Sequence, residues 1–298
     1  MTSLVSPLST HGAQRRHLLT TLALAGTGVG TGLPAWAQND WPAGKLITWV
    51  VPYPAGGSTD VLGRNIALKL GAALSTNVIV DNKAGATGTI GAAYVAKAAP
   101  DGLTLLGTSI GPQAIAPHLM AKLPYDHITA FEPVITVGTI PHILVVGANQ
   151  PYQSVRDLII AAKAKPDTIA FASAGQGSSQ HMSGELFKLQ TQTFITHIPY
   201  RGAGPALNDL IAGQVDVMFD GLGSSATHIR GGRIKALAVT GEGRDPALPN
   251  VPNLSESGLP VRIPDQLFGM VGPANMPAPV TSKLLKAVAD MQADPAFQ

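Results

Sequence analysis

Cysteine is absent from the chain, which excludes a disulfide framework, thiol catalysis and cysteine-ligated metal. Charge is scarce, at 13% of residues, and nearly balanced, with 20 basic against 18 acidic side chains. Two of the basic residues, Arg15 and Arg16, lie in a segment with the marks of a leader. Without them the two signs are equal, so no field remains to attract nucleic acid or an anionic membrane surface. Past the leader, no run approaches the roughly 20 apolar residues of a spanning helix. The histidines at 118, 127, 142, 181, 197 and 228 show no helical pairing with one another, so no metal site is expected. No Walker loop, and no dinucleotide fingerprint followed by a suitable acid, occurs after the leader, and no cofactor is expected. What is plentiful is apolar material. A hydrophobic content of 45% over 298 residues excludes disorder and suits two lobes of about 100–150 residues better than one.

Residues 1–37 have the layout of a signal peptide: Arg15-Arg16, an uncharged and mildly apolar stretch over 18–33, then Ala35-Trp36-Ala37 as a small-x-small cleavage pattern. Export to the periplasm is the expectation. Adjacent arginines fit the twin-arginine route as well as ordinary secretion, and the two stay open.

The mature chain alternates strand, Gly-rich turn and helix. The run LITWVVPY (46–53) has the character of a buried strand. Leu62, Ile66, Leu70 and Leu74 then form a helix-spaced stripe over 60–74, with Ser58, Thr59 or Asp60 to cap it. Further strands are expected over 77–81, 103–106, 143–146, 169–172, 194–198, 215–219 and 234–240. Helices are expected over 90–98, 155–163, 179–190 and 203–212. The last third is broken by prolines, leaving a strand over 267–271 and a closing helix over 280–291. Such alternation predicts α/β lobes with a mostly parallel central sheet in each and a ligand cleft between them, where strand ends meet helix starts.

Three turns face that predicted cleft. In the first, Tyr53 and Pro54-Ala55 lead into Gly56, Gly57, Ser58 and Thr59. The glycines permit a tight backbone with exposed N–H groups, and the following helix adds its positive end, a ready cradle for an anion. The second turn, Ala174, Gly175, Gln176, Gly177 and Ser178, repeats this chemistry, with His181 in the first turn of the next helix as a capping or packing group. The third, Gly107-Thr108-Ser109-Ile110-Gly111, has the form of a nucleophile elbow, and Asp220 and His228 follow in triad order. No His-Gly-Gly oxyanion segment precedes it, and residues 112–117 have poor helical character, so a binding loop is favoured over a secreted esterase using Ser109.

At these residues the sequence resembles the Bug family, the extracytoplasmic receptors of tripartite tricarboxylate transporters. The resemblance rests on VPYPAGGSTDVLGR (51–64), DNKAGATGTIGAAYVAKAAPDGLTLL (81–106), ASAGQGSSQH (172–181), HIPYRGAGPALNDLIAGQVDVMFD (197–220), HIRGGRIKALAVT (228–240) and LPNVPNLSESGLP (248–260), in that order. It implies a non-enzymatic, two-lobed periplasmic-binding-protein fold of type II, a Venus flytrap. Residues 38–140 and 241–298 would form one lobe and 141–240 the other. It implies a small organic acid or amino acid as ligand, held at the two Gly-rich turns, with Thr108 and Ser109 as cleft hydroxyls. Tyr200, Arg201 and Asp220 are implied at further strand ends, Arg201 facing a second carboxylate and Asp220 a ligand hydroxyl or amine. Partners would be integral membrane permease subunits, with the receptor a monomer; a sensor for a membrane signalling partner would use the same cleft. Chains of that family continue some tens of residues further, which implies that the last elements of the first lobe lie outside this sequence. Ser75-Thr76-Asn77 departs from the family's usual Gly-Gln before the second strand, far from the cleft.

Overall fold

The structure, a computed structural model, describes residues 40–259 and 262–294; the leader expected over 1–37 lies outside them. The described residues from Pro42 onward belong to one compact unit, and all contacts below are within it.

The chain begins with strand β1 (Ile47–Val51), helix α1 (Ser58–Leu74), strand β2 (Val78–Asn82), helix α2 (Thr89–Ala96) and strand β3 (Thr104–Ser109). A wide helical turn at Gly111–Ile115 runs into the short helix α3 (Ala116–Leu119), followed by strand β4 (Phe131–Ile140). Next come β5 (His142–Gly147), α4 (Val155–Ala164), β6 (Ala170–Ser173), α5 (Ser179–Thr191) and β7 (Thr196–Pro199). Helix α6 (Ala203–Ile211), β8 (Val217–Gly221), α7 (Leu222–Arg230) and β9 (Ile234–Val239) complete that series. The chain then returns as β10 (Gln266–Pro273) and ends in α8 (Ala278–Gln292).

Two five-stranded sheets result, ordered β2-β1-β3-β10-β4 and β7-β6-β8-β5-β9. Both are mixed instead of mostly parallel. In the first, β1 pairs in parallel with β2 and β3, while β10 is antiparallel to β3 and β4. In the second, β6 is parallel to β7 and β8, and β5 is antiparallel to β8 and β9. The reason is connectivity. Strands joined by a crossover helix run parallel, whereas β5 and β10 each enter their sheet from the other one and arrive reversed.

Three elements differ from the sequence reading. Strand β4 was not expected because it carries Pro133 and Gly138; as the edge strand of its sheet it tolerates both, with register shifts where β10 passes them. Helix α7, rich in Gly and Ser, has weak intrinsic propensity and depends on its packing. Residues 111–119 are helical despite Pro112 and Pro117, which fall in the first turns of their segments, where a missing N–H matters least.

Period-two alternation builds the second sheet's core. Leu144 and Val146 of β5 join Phe171, Phe187 and Phe219 on one face, and Ile143 and Val145 join Leu207, Leu210 and Met218 on the other. Each such buried side chain contributes about 1.5–3 kcal/mol. In the first sheet Trp49 is buried, and glycines make its space. A Cβ at Gly107 would stand 2.5 Å from the indole nitrogen, and one at Gly63 2.9 Å.

Candidate functional site: a cavity at converging helix N-termini

The turn between β1 and α1 is folded by one carboxylate. Asp60, buried in the first turn of α1, accepts from the Gly56 N–H at 3.0 Å, from Arg64 at 2.9 and 3.1 Å, and from Asn82 Nδ2 at 2.9 Å. Asn82 also donates to the Tyr53 carbonyl at 2.9 Å. Burial pushes the Asp60 carboxyl up, but these hydrogen bonds outweigh it and hold its pKa below the ordinary value. Gly56 sits at φ +89°, a conformation that favours glycine. Its N–H is engaged by Asp60, so the N–H groups of Gly57, Ser58 and Thr59 are the ones with no partner among the described residues.

The turn between β6 and α5 reaches the same end differently. Ser173 Oγ accepts from the Gly175 N–H at 3.1 Å and lies 2.6 Å from His197 Nε2. The Gly177 N–H donates to His181 Nδ1 at 3.1 Å, and Ser178 caps α5 by accepting from the His181 N–H at 3.2 Å. The two imidazoles stack with centroids 4.0 Å apart and continue onto Phe171. Burial lowers the His181 pKa and brings that of His197 down to about 4. Both rings are therefore neutral at pH 7, and Nδ1 of His181 is free to accept. The N–H groups of Ser179 and Gln180 at the head of α5 have no partner among the described residues.

One cavity of about 30 Å³, the scale of one or two waters, takes in both helix starts. Gly57, Ser58 and Thr59 border it from α1, Ala174, Ser179 and Gln180 from the second turn and α5, and Ala203 from the head of α6. Three helix N-termini, each carrying about half a positive charge, thus meet at one small space. Tyr53 and Ser109 form a further wall, their hydroxyls 3.0 Å apart, with burial raising the Tyr53 pKa. Ile110, Leu267, Phe268 and Gln266 close the remainder.

Of the residues singled out from sequence, Tyr53, Gly57, Ser58, Thr59, Ser109 and Ala174 border the cavity. The others do not border it. Gly56, Gly175 and Gly177 turn the backbone; Gln176 accepts from Thr87 Oγ1 through its carbonyl; Ser178 and His181 cap and brace α5. Thr108 is buried in β3, Tyr200 donates to Asp209 at 2.8 Å, and Arg201 is exposed. Asp220 is fully buried, and its Oδ2 accepts from Ser224 at 2.6 Å and Ser225 at 2.7 Å. Ser224 has one proton and gives it to Asp220, so in the 2.9 Å contact with Ser58 it is Ser58 that donates. That leaves Ser58 Oγ an acceptor. Neither Asp220 nor His228 is a partner of Ser109 among the described residues, so the nucleophile-elbow reading finds no assembled triad.

The second loop, read from Ala174 to His181, runs through Ser179 and Gln180, but neither was singled out as a ligand group; they, with Ala203 one place past Gly202, form one group of omissions, and the 266–268 segment is the other. The first group was findable from helix-start logic. The second was not, because Gln266–Phe268 arrives beside Ser109 only through the β3–β10 pairing, Phe268 opposite Ser109.

The description "tripartite tricarboxylate transporter family receptor" matches residues 62–298. The chain belongs to that family. Among solved structures, this family receptor is similar to the periplasmic binding protein BugD, 37% identical with a TM-score of 0.80 over 85% of this chain and 84% of BugD. It is 35% identical to Rpa4515 of R. palustris with adipate, at a TM-score of 0.84 over 87% and 86% of the two chains. It is 33% identical to MatC of Rhodopseudomonas palustris with bound malate, at 0.79 over 85% of each. The fold is the two-lobed α/β periplasmic-binding-protein type, and the tripartite tricarboxylate receptor family consists of extracytoplasmic solute-binding proteins, not enzymes.

Proposed function

We propose that this receptor captures a small carboxylate in the cavity at the heads of α1, α5 and α6 and delivers it to membrane permease subunits of a tripartite tricarboxylate transporter. The observation that carries this is the set of unpartnered N–H groups on residues 57–59 and 179–180 around one space. Charge-assisted hydrogen bonds from such donors contribute about 1.5–3 kcal/mol each. Adipate and malate in the two R. palustris relatives are acids of the same kind. In this reading residues 1–37 direct export to the periplasm and are removed, and the mature protein acts as a monomer. Residues 38–140 with 241–298 move as one lobe against 141–240, opening and closing on the ligand.

The test is a thermal-shift screen of the mature protein against adipate, malate, succinate and other acids, with their esters as controls. A ligand at about 100 times its Kd adds about 2.7 kcal/mol, so a shift with an acid that disappears with its ester is the expected result. Gly57→Asp, which sets a carboxylate among the donors, should weaken binding at least about tenfold. No shift with any acid would refute the carboxylate reading.

A further inference from the structure

The turn between β2 and α2 holds its backbone at positive φ over four successive residues, Gly85 at +131°, Ala86 at +44°, Thr87 at +56° and Gly88 at +89°. The glycines are at home there. A β-branched residue is strained, and such strain persists only where the surroundings hold it. Here the Tyr53 hydroxyl donates to the Thr87 carbonyl at 3.4 Å, Thr89 Oγ1 to the Ala86 carbonyl at 2.9 Å, and the Gly88 N–H to that of Gly85 at 3.0 Å. Gly111 leaves room for this, since a Cβ there would stand 2.7 Å from the Tyr53 hydroxyl oxygen. What threonine adds to the turn is a hydroxyl, and that hydroxyl crosses from the first sheet's layer to the second's. Thr87 Oγ1 donates at 2.5 Å to the carbonyl of Gln176, in the turn between β6 and α5. That carbonyl has no backbone donor among the described residues.

The contact between Ser58 and Ser224, at 2.9 Å, also joins the two layers, but it is buried at the heads of α1 and α7. Neither Thr87 nor Gln176 borders the cavity, and Gln176 is exposed. Their bond nonetheless ties the cavity's two sides together. Tyr53, which holds the Thr87 carbonyl, is part of the cavity wall, and the turn that carries Gln176 leads into Ser179 and Gln180, which border the cavity opposite. We propose that Thr87 is an interlobe latch, a positioning residue that holds the receptor closed without touching its ligand. This rests on the opening and closing of the lobes put forward above, and gives that motion a residue. On opening, hydroxyl and carbonyl both pass to water, so the bond counts only as a few-fold change in the closed-to-open ratio. The strained turn fixes where the hydroxyl points before closure, so little freedom is lost when the bond forms. Because the acceptor is a main-chain oxygen, the latch does not depend on the side chain at position 176.

The absence of cysteine permits clean spin labelling at Lys97→Cys, just after α2, and Lys163→Cys, in α4, both exposed positions. Pulsed electron resonance then gives the distribution of interlobe distances in the ligand-free mature protein. A closed and an open population are expected. Thr87→Val, which keeps the shape and loses the hydroxyl, should lower the closed-to-open ratio at least about threefold, and Thr87→Ser should preserve it. Thr87→Gly separates latching from folding: glycine suits the positive φ, so Tm should not fall, while the ratio should fall as in the valine variant. Should Thr87→Val fail to fold, Thr87→Gly decides alone. A ratio unmoved by loss of the hydroxyl, a ratio lost equally in Thr87→Ser, or a ligand-free wild type found wholly open would overturn the latch and leave lobe closure standing. One distance in every variant, unmoved by adipate or malate, would bring down lobe closure and the latch together.

Discussion

The two Gly-rich turns present the same thing to the cavity, the unpaired head of a helix, and hold it by different chemistry. The first is braced by ions: Asp60 between Arg64, Asn82 and the Gly56 N–H. The second is braced by neutral rings, His181 and His197, acting on Gly177 and Ser173. Helix α5 has a serine cap, and α1 has Gly57 with no side-chain cap at all. The contrast shows that an anion cradle needs correctly aimed N–H groups but does not dictate what aims them. Each brace should therefore fail under its own conditions.

The largest effect is expected from Asp60→Ala. Removing one carboxylate leaves the Gly56 N–H without its acceptor and Asn82 with only the Tyr53 carbonyl, at a cost of about 2–3 kcal/mol. In a chain of this size that lowers Tm by roughly 5–10 °C. Scanning calorimetry checks it, and an unchanged Tm would mean that the turn holds without its carboxylate.

Acid comes next and should separate the two turns. His197 has a folded pKa of about 4 against an ordinary 6.5. Between those values the unfolded chain binds more protons, so stability falls as pH drops from 6.5 towards 4. Because the ring is only half-buried, solvent screening reduces the effect to about 1–2 kcal/mol. Asp60 behaves otherwise: its pKa is held below 3.8, so its contribution persists through that window and is lost only as pH falls through the lowered value. Melting curves from pH 7 to 4 should slope downward for wild type and less so for His197→Asn. Parallel slopes would remove the histidines as the acid-sensitive brace.

Smaller still is Ser178→Ala, which deletes the α5 cap and should cost about 1 kcal/mol, read as a lower denaturant midpoint at unchanged m-value. The reverse change on the other turn, Gly57→Ser, should give less than about 0.5 kcal/mol of stabilisation. The added Cβ would meet the Cβ of Ala203 at 3.2 Å, which offsets what the new cap contributes. A clear gain would show that the α6 head yields easily.

Much of this was legible along the chain because it is local. Tyr53 to Thr59 and Ala174 to Ser178 announce themselves by glycines between an apolar run and an amphipathic stripe, and strand–helix alternation followed from periodicity. Strand β4 and helix α7 were not legible, since Pro133 and Gly138 or a Gly/Ser-rich composition argue against them, and only edge position and packing overrule that.

By itself, then, the sequence determined the family, the α/β alternation and which turns have anion-binding chemistry, all of them properties of short segments. The tertiary structure decided which N–H groups remain unpaired, because Asp60, Ser173 and His181 engage those of Gly56, Gly175 and Gly177 and leave that of Gly57. It also brought Gln266 and Phe268 to the cavity, more than 150 residues along from Ser109, by slotting β10 between β3 and β4. Strand pairing across such a distance is fixed by the fit of the whole sheet, and no local pattern specifies it.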